Sequence, residues 1–90
     1  MMIQAHVFFS GAVQGVGFRY TTQRLATTLG LKGWVRNLAQ GGVELMVEGS
    51  KETIEQLLQN IDEHYTGSIR NKTVSYSDAV EHFEDFEIKA

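Results

Sequence analysis

Cysteine and proline are both absent from the 90 residues of this sequence. Without cysteine the chain can form no disulfide and can use no thiol nucleophile, which fits a reducing compartment. Long hydrophobic runs are also absent, since no stretch approaches the roughly 20 apolar residues of a membrane-spanning helix. Residues 1–4 have neither the basic region nor the apolar run of a signal peptide. We therefore expect a cytoplasmic protein that does not bind membranes.

Positive charge is scarce as well, with 8 lysines and arginines against 11 aspartates and glutamates and a net charge of −3. This balance argues against a general affinity for nucleic acid. A phosphate site would have to use a few well-placed groups instead of a basic surface. The hydrophobic fraction of 42% is ordinary for a folded protein. We expect residues 1–90 to form a single domain.

Glycine is concentrated in residues 11–17, where three of the seven residues are glycine and Arg19 follows closely. Glycines let the backbone turn sharply and point several N–H groups into one concavity. A strand is expected before this loop, at about residues 3–10, and a helix after it, at about residues 18–29. The positive end of the helix and the guanidinium of Arg19 would then meet at the loop. The stretch predicts a site for a phosphoryl group.

Strands are expected next at about residues 32–37 and 43–48, joined by a glycine-containing turn that suits a β-hairpin. A helical stripe follows at about residues 51–63, and Ser50 can cap its start. The last third is less clear, with a strand around residues 73–76 and a short final one at about residues 83–88, in which Phe86 and Ile88 are expected to face inward. The order β-α-β-β-α-β is that of ferredoxin-like folds. The sequence thus predicts an α+β fold in which an antiparallel sheet carries two helices on one face.

Two blocks of sequence resemble the acylphosphatases, small enzymes that hydrolyse the carboxyl–phosphate bond. Residues 11–19 resemble the family's signature loop, and residues 33–37 resemble its glycine–aromatic–valine–any–asparagine block. Residues 42–49 are similar to the third strand of the family and the turn after it. The resemblance implies the same ferredoxin-like fold and a monomer. It also implies hydrolysis of small acyl phosphates to a carboxylate and orthophosphate.

Hydrolysis of an acyl phosphate requires few catalytic groups. The leaving carboxylate has a conjugate acid with a pKa of about 4, so it departs at neutral pH without a proton donor. Phosphoryl transfer of this kind depends mostly on positioning and charge stabilisation. We therefore expect a metal-independent reaction with no cofactor. The chemistry does not identify the base that deprotonates the water, and a phosphoryl oxygen of the substrate is one candidate.

Arg19 is expected to bind the phosphoryl group and to stabilise the transition state, because its guanidinium can hold two oxygens at once. A cation in the first turn of a helix faces the dipole unfavourably, so an anion bound there would compensate. The alternative is a solvent-exposed arginine. Backbone amides should complete a phosphate-binding cradle: Gln14, Gly15, Val16, Gly17 and Phe18. For Gln14 we expect the backbone to matter, and not the side chain.

For Asn37 the resemblance implies the second catalytic role, that of orienting the attacking water. An amide suits this work, because it accepts and donates hydrogen bonds without titrating. Spacing alone favours the alternative of a turn-forming residue.

The three histidines are scattered along the chain. His6 is expected to be exposed on the sheet, His64 to lie near a helix end, and His82 to belong to the acidic run 81–87. Nothing in that run has recognisable metal-ligand spacing. Trp34 is expected to be a packing residue.

Two rival functions share parts of this pattern. A non-catalytic domain could use the same cradle to bind a phosphorylated ligand without turnover. A ferredoxin-like RNA-binding module is the second rival, although the acidic balance argues against it. The acyl group of the physiological substrate is not encoded in any motif.

Overall fold

The computed structural model describes residues 2–79 and 82–90. Met1 and Glu81, which entered the expectations on the N-terminus and the acidic run, lie outside these residues. The elements in chain order are β1 (Ile3–Gly11), α1 (Phe18–Thr28), β2 (Lys32–Asn37), β3 (Val43–Gly49), α2 (Lys51–His64), β4 (Ile69–Asp78) and β5 (Phe86–Lys89). The expected elements are all present, and β4 is much longer than the strand predicted there.

The sheet has five strands in the order β4-β1-β3-β2-β5. The pairs β1–β3, β1–β4 and β2–β3 are antiparallel, whereas β2 and β5 are parallel. The expectation of an antiparallel sheet is therefore wrong at one edge. The reason is topological: β4 runs opposite to β2, and the chain reverses between β4 and β5. When β5 pairs with β2 at the far edge, the two must run in the same direction.

One hydrophobic core receives side chains from the sheet and from both helices. Alternate residues of β1 and β3 point into it, and α2 adds a stripe at i, i+3, i+4 and i+7 spacing. Fully buried members include Ala5, Val7, Phe9, Val35, Val43, Leu45, Val47, Ala26, Ile54, Leu57 and Ile61. Phe86 is buried as expected, but Ile88 on the same side of β5 is 37% exposed. The expected inward position of Ile88 is wrong, because it lies at the rim of a surface concavity.

The predicted hairpin between β2 and β3 is confirmed. Leu38 N donates to Gly42 O at 3.0 Å, and Gly41 N donates to Leu38 O at 3.1 Å. Gly42 has φ 90°, and a Cβ there would lie 2.7 Å from Phe9 O, so the turn packs directly against the end of β1. This contact sets the turn beside the loop that follows β1.

Helix α2 is closed at its start by Ser50, whose side chain accepts a hydrogen bond from Thr53 N at 3.2 Å. His64 lies in its last turn, as expected. Neither helix in the described part of the chain is long and apolar enough to cross a bilayer.

Candidate active site

A concavity of about 180 Å³ opens where the loop after β1, the start of α1 and the end of β2 meet. Its lining includes Arg19 and Asn37, which are 18 positions apart in sequence. The remaining lining residues are Val13, Gly15, Gly17, Phe18, Tyr20 and Ile88. The structure thus brings together the two residues for which the sequence suggested catalytic roles, with most of the expected cradle around them.

The loop backbone depends on two left-handed glycines. Gly15 has φ 77° and Gly17 has φ 75°, and a Cβ at either position would meet no atom within 4 Å. The requirement for glycine is therefore conformational, since L-residues with side chains pay about 1–2 kcal/mol in this region. Gly17 is also the N-cap of α1, and its carbonyl accepts from Thr21 N at 2.9 Å.

The first turn of α1 has an unusual electrostatic character. Its N-cap is a glycine that provides no side-chain hydrogen bond, and its first turn contains no acidic residue. The N–H groups at the start of a helix have no partners within the helix. Arg19 is half-buried in this turn, and among the described residues it forms no salt bridge. The start of α1, with its free backbone N–H groups, and the Arg19 side chain both line one small concavity. Positive charge from both sources makes this place suitable for an anion.

The side chain of Gln14 has a structural role, contrary to the expectation that only its backbone matters. Its Nε2 donates to Leu38 O at 2.9 Å and to Gly42 O at 2.6 Å. The side chain thereby ties the loop to the β2–β3 turn, next to Asn37. No sequence signal pointed to this contact, because its partners are backbone carbonyls from a distant turn.

Tyr65 supports the loop from the other side and was also missed. Its hydroxyl lies 3.3 Å from Val16 O and 3.1 Å from Thr21 Oγ1. Its ring centroid is 4.8 Å from that of Phe18, which in turn lies 5.1 Å from Phe9. The only hint in the sequence was that Tyr65 continues the apolar stripe of α2 by four residues.

Asn37 is the last residue of β2 and pairs with Val43 of β3. Its Oδ1 is buried and has no hydrogen-bond partner among the described residues. A buried acceptor without a partner costs about 1–3 kcal/mol. Rotation of the amide group can present either its acceptor or its donor. The Asn37 side chain can therefore still form a hydrogen bond at the wall of the concavity.

The opposite side of the sheet carries a charged cluster formed by His6, Arg36 and Glu44. Glu44 accepts from His6 Nε2 at 2.6 Å and from Arg36 Nε at 2.7 Å. Burial raises the pKa of Glu44, but these two hydrogen bonds and the nearby positive charges outweigh it and hold the pKa below 4.5. His6 is half-buried and paired, not freely exposed as expected. The cluster fixes β1, β3 and β2 to one another beside Asn37.

The remaining candidates of the sequence analysis lie away from the concavity. Trp34 shares the open side of the sheet, where Arg36 and Lys89 stack on its ring at 5.2 and 4.8 Å. His82 is exposed. Within residues 2–79 and 82–90, no three histidine, aspartate or glutamate side chains cluster in a way that could hold a metal ion.

Comparison with known proteins agrees with the geometry. The chain matches the family model Acylphosphatase over residues 5–88. An acylphosphatase of Bacillus pumilus is 39% identical over 89 residues, 98% of this chain and 99% of that protein. One from Trichormus variabilis is 52% identical over 58 residues, 64% of this chain, so the match spans only 57% of that relative's length. The crystal structure of acylphosphatase from Bacillus subtilis superposes with a TM-score of 0.91 at 31% identity, covering 98% of this chain and 99% of that one.

The known activity of this family is the hydrolysis of acyl phosphates. Since the family model and a relative at 39% identity both extend over nearly the whole sequence, the chain belongs to the acylphosphatase family.

Proposed function

We propose that this protein hydrolyses the carboxyl–phosphate bond of small acyl phosphates, releasing a carboxylate and orthophosphate. One observation supports the proposal above all: Arg19, Asn37 and the loop that contains Gly15 and Gly17 line the same concavity. Each group alone has an ordinary structural explanation. Their convergence supplies what phosphoryl transfer needs, namely charge stabilisation on one side and a positioned water on the other.

Binding of the phosphoryl group falls to the start of α1 and the loop before it. The backbone amides of residues 14–18 donate to the equatorial oxygens, and Arg19 holds two of them through its guanidinium. The left-handed Gly15 and Gly17 keep the loop open, while Gln14 and Tyr65 fix its two ends. Because these donors are placed before the substrate arrives, little reorganisation accompanies charge development in the transition state.

Attack on phosphorus is assigned to a water held by Asn37. With the amide rotated so that its oxygen faces the concavity, that oxygen accepts one of the water's hydrogens, and a lone pair of the water is directed at the phosphorus atom. The described residues that line the concavity include no carboxylate and no imidazole. The proton of the water therefore passes to a phosphoryl oxygen of the substrate. The leaving carboxylate is a weak base, so the P–O bond breaks without a proton donor and without a metal.

The wider organisation is part of the same proposal. Residues 1–90 form one domain with a ferredoxin-like fold, both helices on one face of the sheet, in a cytoplasmic monomer that binds neither nucleic acid nor membrane. The order of the first six elements and the single core shared by both helices support the fold. The net charge of −3 argues against binding to nucleic acid or to anionic membranes, and the lack of cysteine fits the cytoplasm. The monomeric state is implied by the family resemblance alone.

The decisive experiment measures phosphate release from acetyl phosphate with a chelator present. The intact protein is compared with Arg19→Ala and with Arg24→Ala, which removes an exposed arginine from the same helix. We expect turnover that resists the chelator, survives in Arg24→Ala and is lost in Arg19→Ala. Calorimetric binding of inorganic phosphate without any turnover would instead show the non-catalytic domain. A salt-sensitive shift of RNA would favour the RNA-binding alternative.

A further inference from the structure

The concavity has an apolar rim formed by Tyr20 and Ile88, which lie outside the residues assigned to the phosphoryl group. Tyr20 follows Arg19 on α1 and is 64% exposed, and Ile88 on β5 is 37% exposed. Both line the concavity. Single exposed apolar side chains are common on proteins. These two are notable because they come from different elements and meet at one site.

The relative position of the two side chains is fixed by the fold. Gln23 Nε2 of α1 donates to Phe86 O of β5 at 3.0 Å, which ties the two elements together. The parallel pairing of β5 with β2 places Ile88 opposite Val35, two residues before Asn37. The relative positions of Tyr20 and Ile88 are therefore set by the packing of α1 against β5 and by the pairing of β5 with β2.

An acyl phosphate held by its phosphoryl group must direct its acyl group away from the loop amides, toward the mouth of the concavity. Among the described lining residues, Arg19 is the only one with a charged side chain. The proposed function assigns this side chain to the phosphoryl group. A charged acyl substituent finds no ionic partner there. An apolar one finds the ring of Tyr20 and the side chain of Ile88.

We propose that Tyr20 and Ile88 form an acyl shelf that selects acyl phosphates with a larger aliphatic or an aromatic acyl group over acetyl phosphate and over acyl phosphates bearing a second charge. This inference rests on the proposed function, since it takes the cradle as the seat of the phosphoryl group. Each methylene removed from water is worth about a fourfold change in affinity. On an open rim that covers one side of the ligand, we expect a preference of about threefold to tenfold.

Binding of phosphonates tests the shelf without any need for turnover. Dissociation constants are measured by calorimetry for methylphosphonate and benzylphosphonate, with the intact protein and with Tyr20→Ser, Tyr20→Phe and Ile88→Ser. Tyr76→Ser is the matched control, because Tyr76 is 41% exposed and lies on β4 outside the concavity. Thermal melts establish that each variant is folded.

We expect the intact protein to bind benzylphosphonate about threefold to tenfold more tightly than methylphosphonate. Tyr20→Ser and Ile88→Ser should each lose most of this preference while keeping their affinity for methylphosphonate. Tyr20→Phe and Tyr76→Ser should retain it. Equal affinities for the two phosphonates in the intact protein, or an unchanged preference in both serine variants, would overturn the shelf.

Kinetics separate failure of the shelf from failure of the proposed function. KM for benzoyl phosphate should rise in Tyr20→Ser about as much as the phosphonate preference falls, with KM and kcat for acetyl phosphate little changed. If the intact protein releases no phosphate from either substrate, the proposed function fails, and the phosphonate series still decides whether the shelf exists. If turnover is normal but KM does not depend on the acyl group, only the shelf is refuted.

Discussion

The side chain of Gln14 joins the loop proposed to bind phosphate to the turn beside Asn37, and its removal tests whether that link matters for the reaction. Its Nε2 donates two hydrogen bonds, to Leu38 O at 2.9 Å and to Gly42 O at 2.6 Å. In Gln14→Ala both bonds are lost. Because water can replace the donor at these turn carbonyls, we expect the free energy of unfolding to fall by only about 1 kcal/mol.

The effect on catalysis should exceed the effect on binding. The loop amides and Arg19 remain, so KM for acetyl phosphate should change by less than about threefold. The water that we propose Asn37 orients would no longer be aligned with the phosphorus atom, and small errors of this kind cost about tenfold to a hundredfold in rate. We therefore expect kcat to fall by about tenfold or more in Gln14→Ala.

The assay is steady-state phosphate release, with inorganic phosphate as a competitive inhibitor to report on the cradle. Gln56→Ala is the control, because Gln56 is an exposed glutamine of α2 whose side-chain amide, among the described residues, hydrogen-bonds to Asn60 alone. A Gln14→Ala protein that keeps kcat within twofold of the intact protein would refute the positioning role. A large rise in the inhibition constant for phosphate would show that the loop itself had collapsed, and this too would contradict the argument.

Three further predictions concern the same region. Asn37→Ala should lower kcat by about a hundredfold, the scale of losing one transition-state contact, while the calorimetric Kd for inorganic phosphate stays within about threefold. Gly17→Ala should lower the free energy of unfolding in urea by about 1–2 kcal/mol, because alanine must adopt φ 75°. Glu44 should make stability dependent on pH: since its folded-state pKa is lowered, its contribution is complete above 4.5 and is lost as the pH falls through the folded value. Urea titrations from pH 6 to pH 3 should show this loss in the intact protein and a weaker one in Glu44→Gln.

Each of these has an outcome that would contradict it. Near-normal kcat in Asn37→Ala would remove the water-orienting role. An unchanged urea midpoint for Gly17→Ala would mean that the loop adopts another conformation at no cost. Parallel pH profiles for Glu44→Gln and the intact protein would show that the bonds from His6 and Arg36 contribute nothing to stability.

Much of the fold was encoded in local signals. The glycine-rich loop after β1, the Ser50 cap, and the apolar stripe of α2 each involve residues close together in sequence, and the structure confirms the elements they predicted. Gly41 and Gly42 marked the hairpin for the same reason, since a tight turn depends on the φ angles of its own residues.

The far edge of the sheet was not predictable in this way. Pairing of β5 with β2 places Phe86 opposite Gly33. Neither strand contains a sequence pattern that indicates the other as its partner. Gly33 has a reason to be glycine that appears only in the structure, because a Cβ there would overlap the backbone of Met46.

Local sequence signals were enough to put Arg19 directly after a glycine-rich loop, in the first turn of a helix, and family resemblance drew attention to Asn37. The folded chain was needed to show that these two residues line one concavity, that Gln14 and Tyr65 hold the loop beside it, and that Ile88 lies at its rim. The physical reason is that backbone conformation depends on neighbouring residues, whereas a site is assembled by strand pairing and packing between segments far apart in the chain.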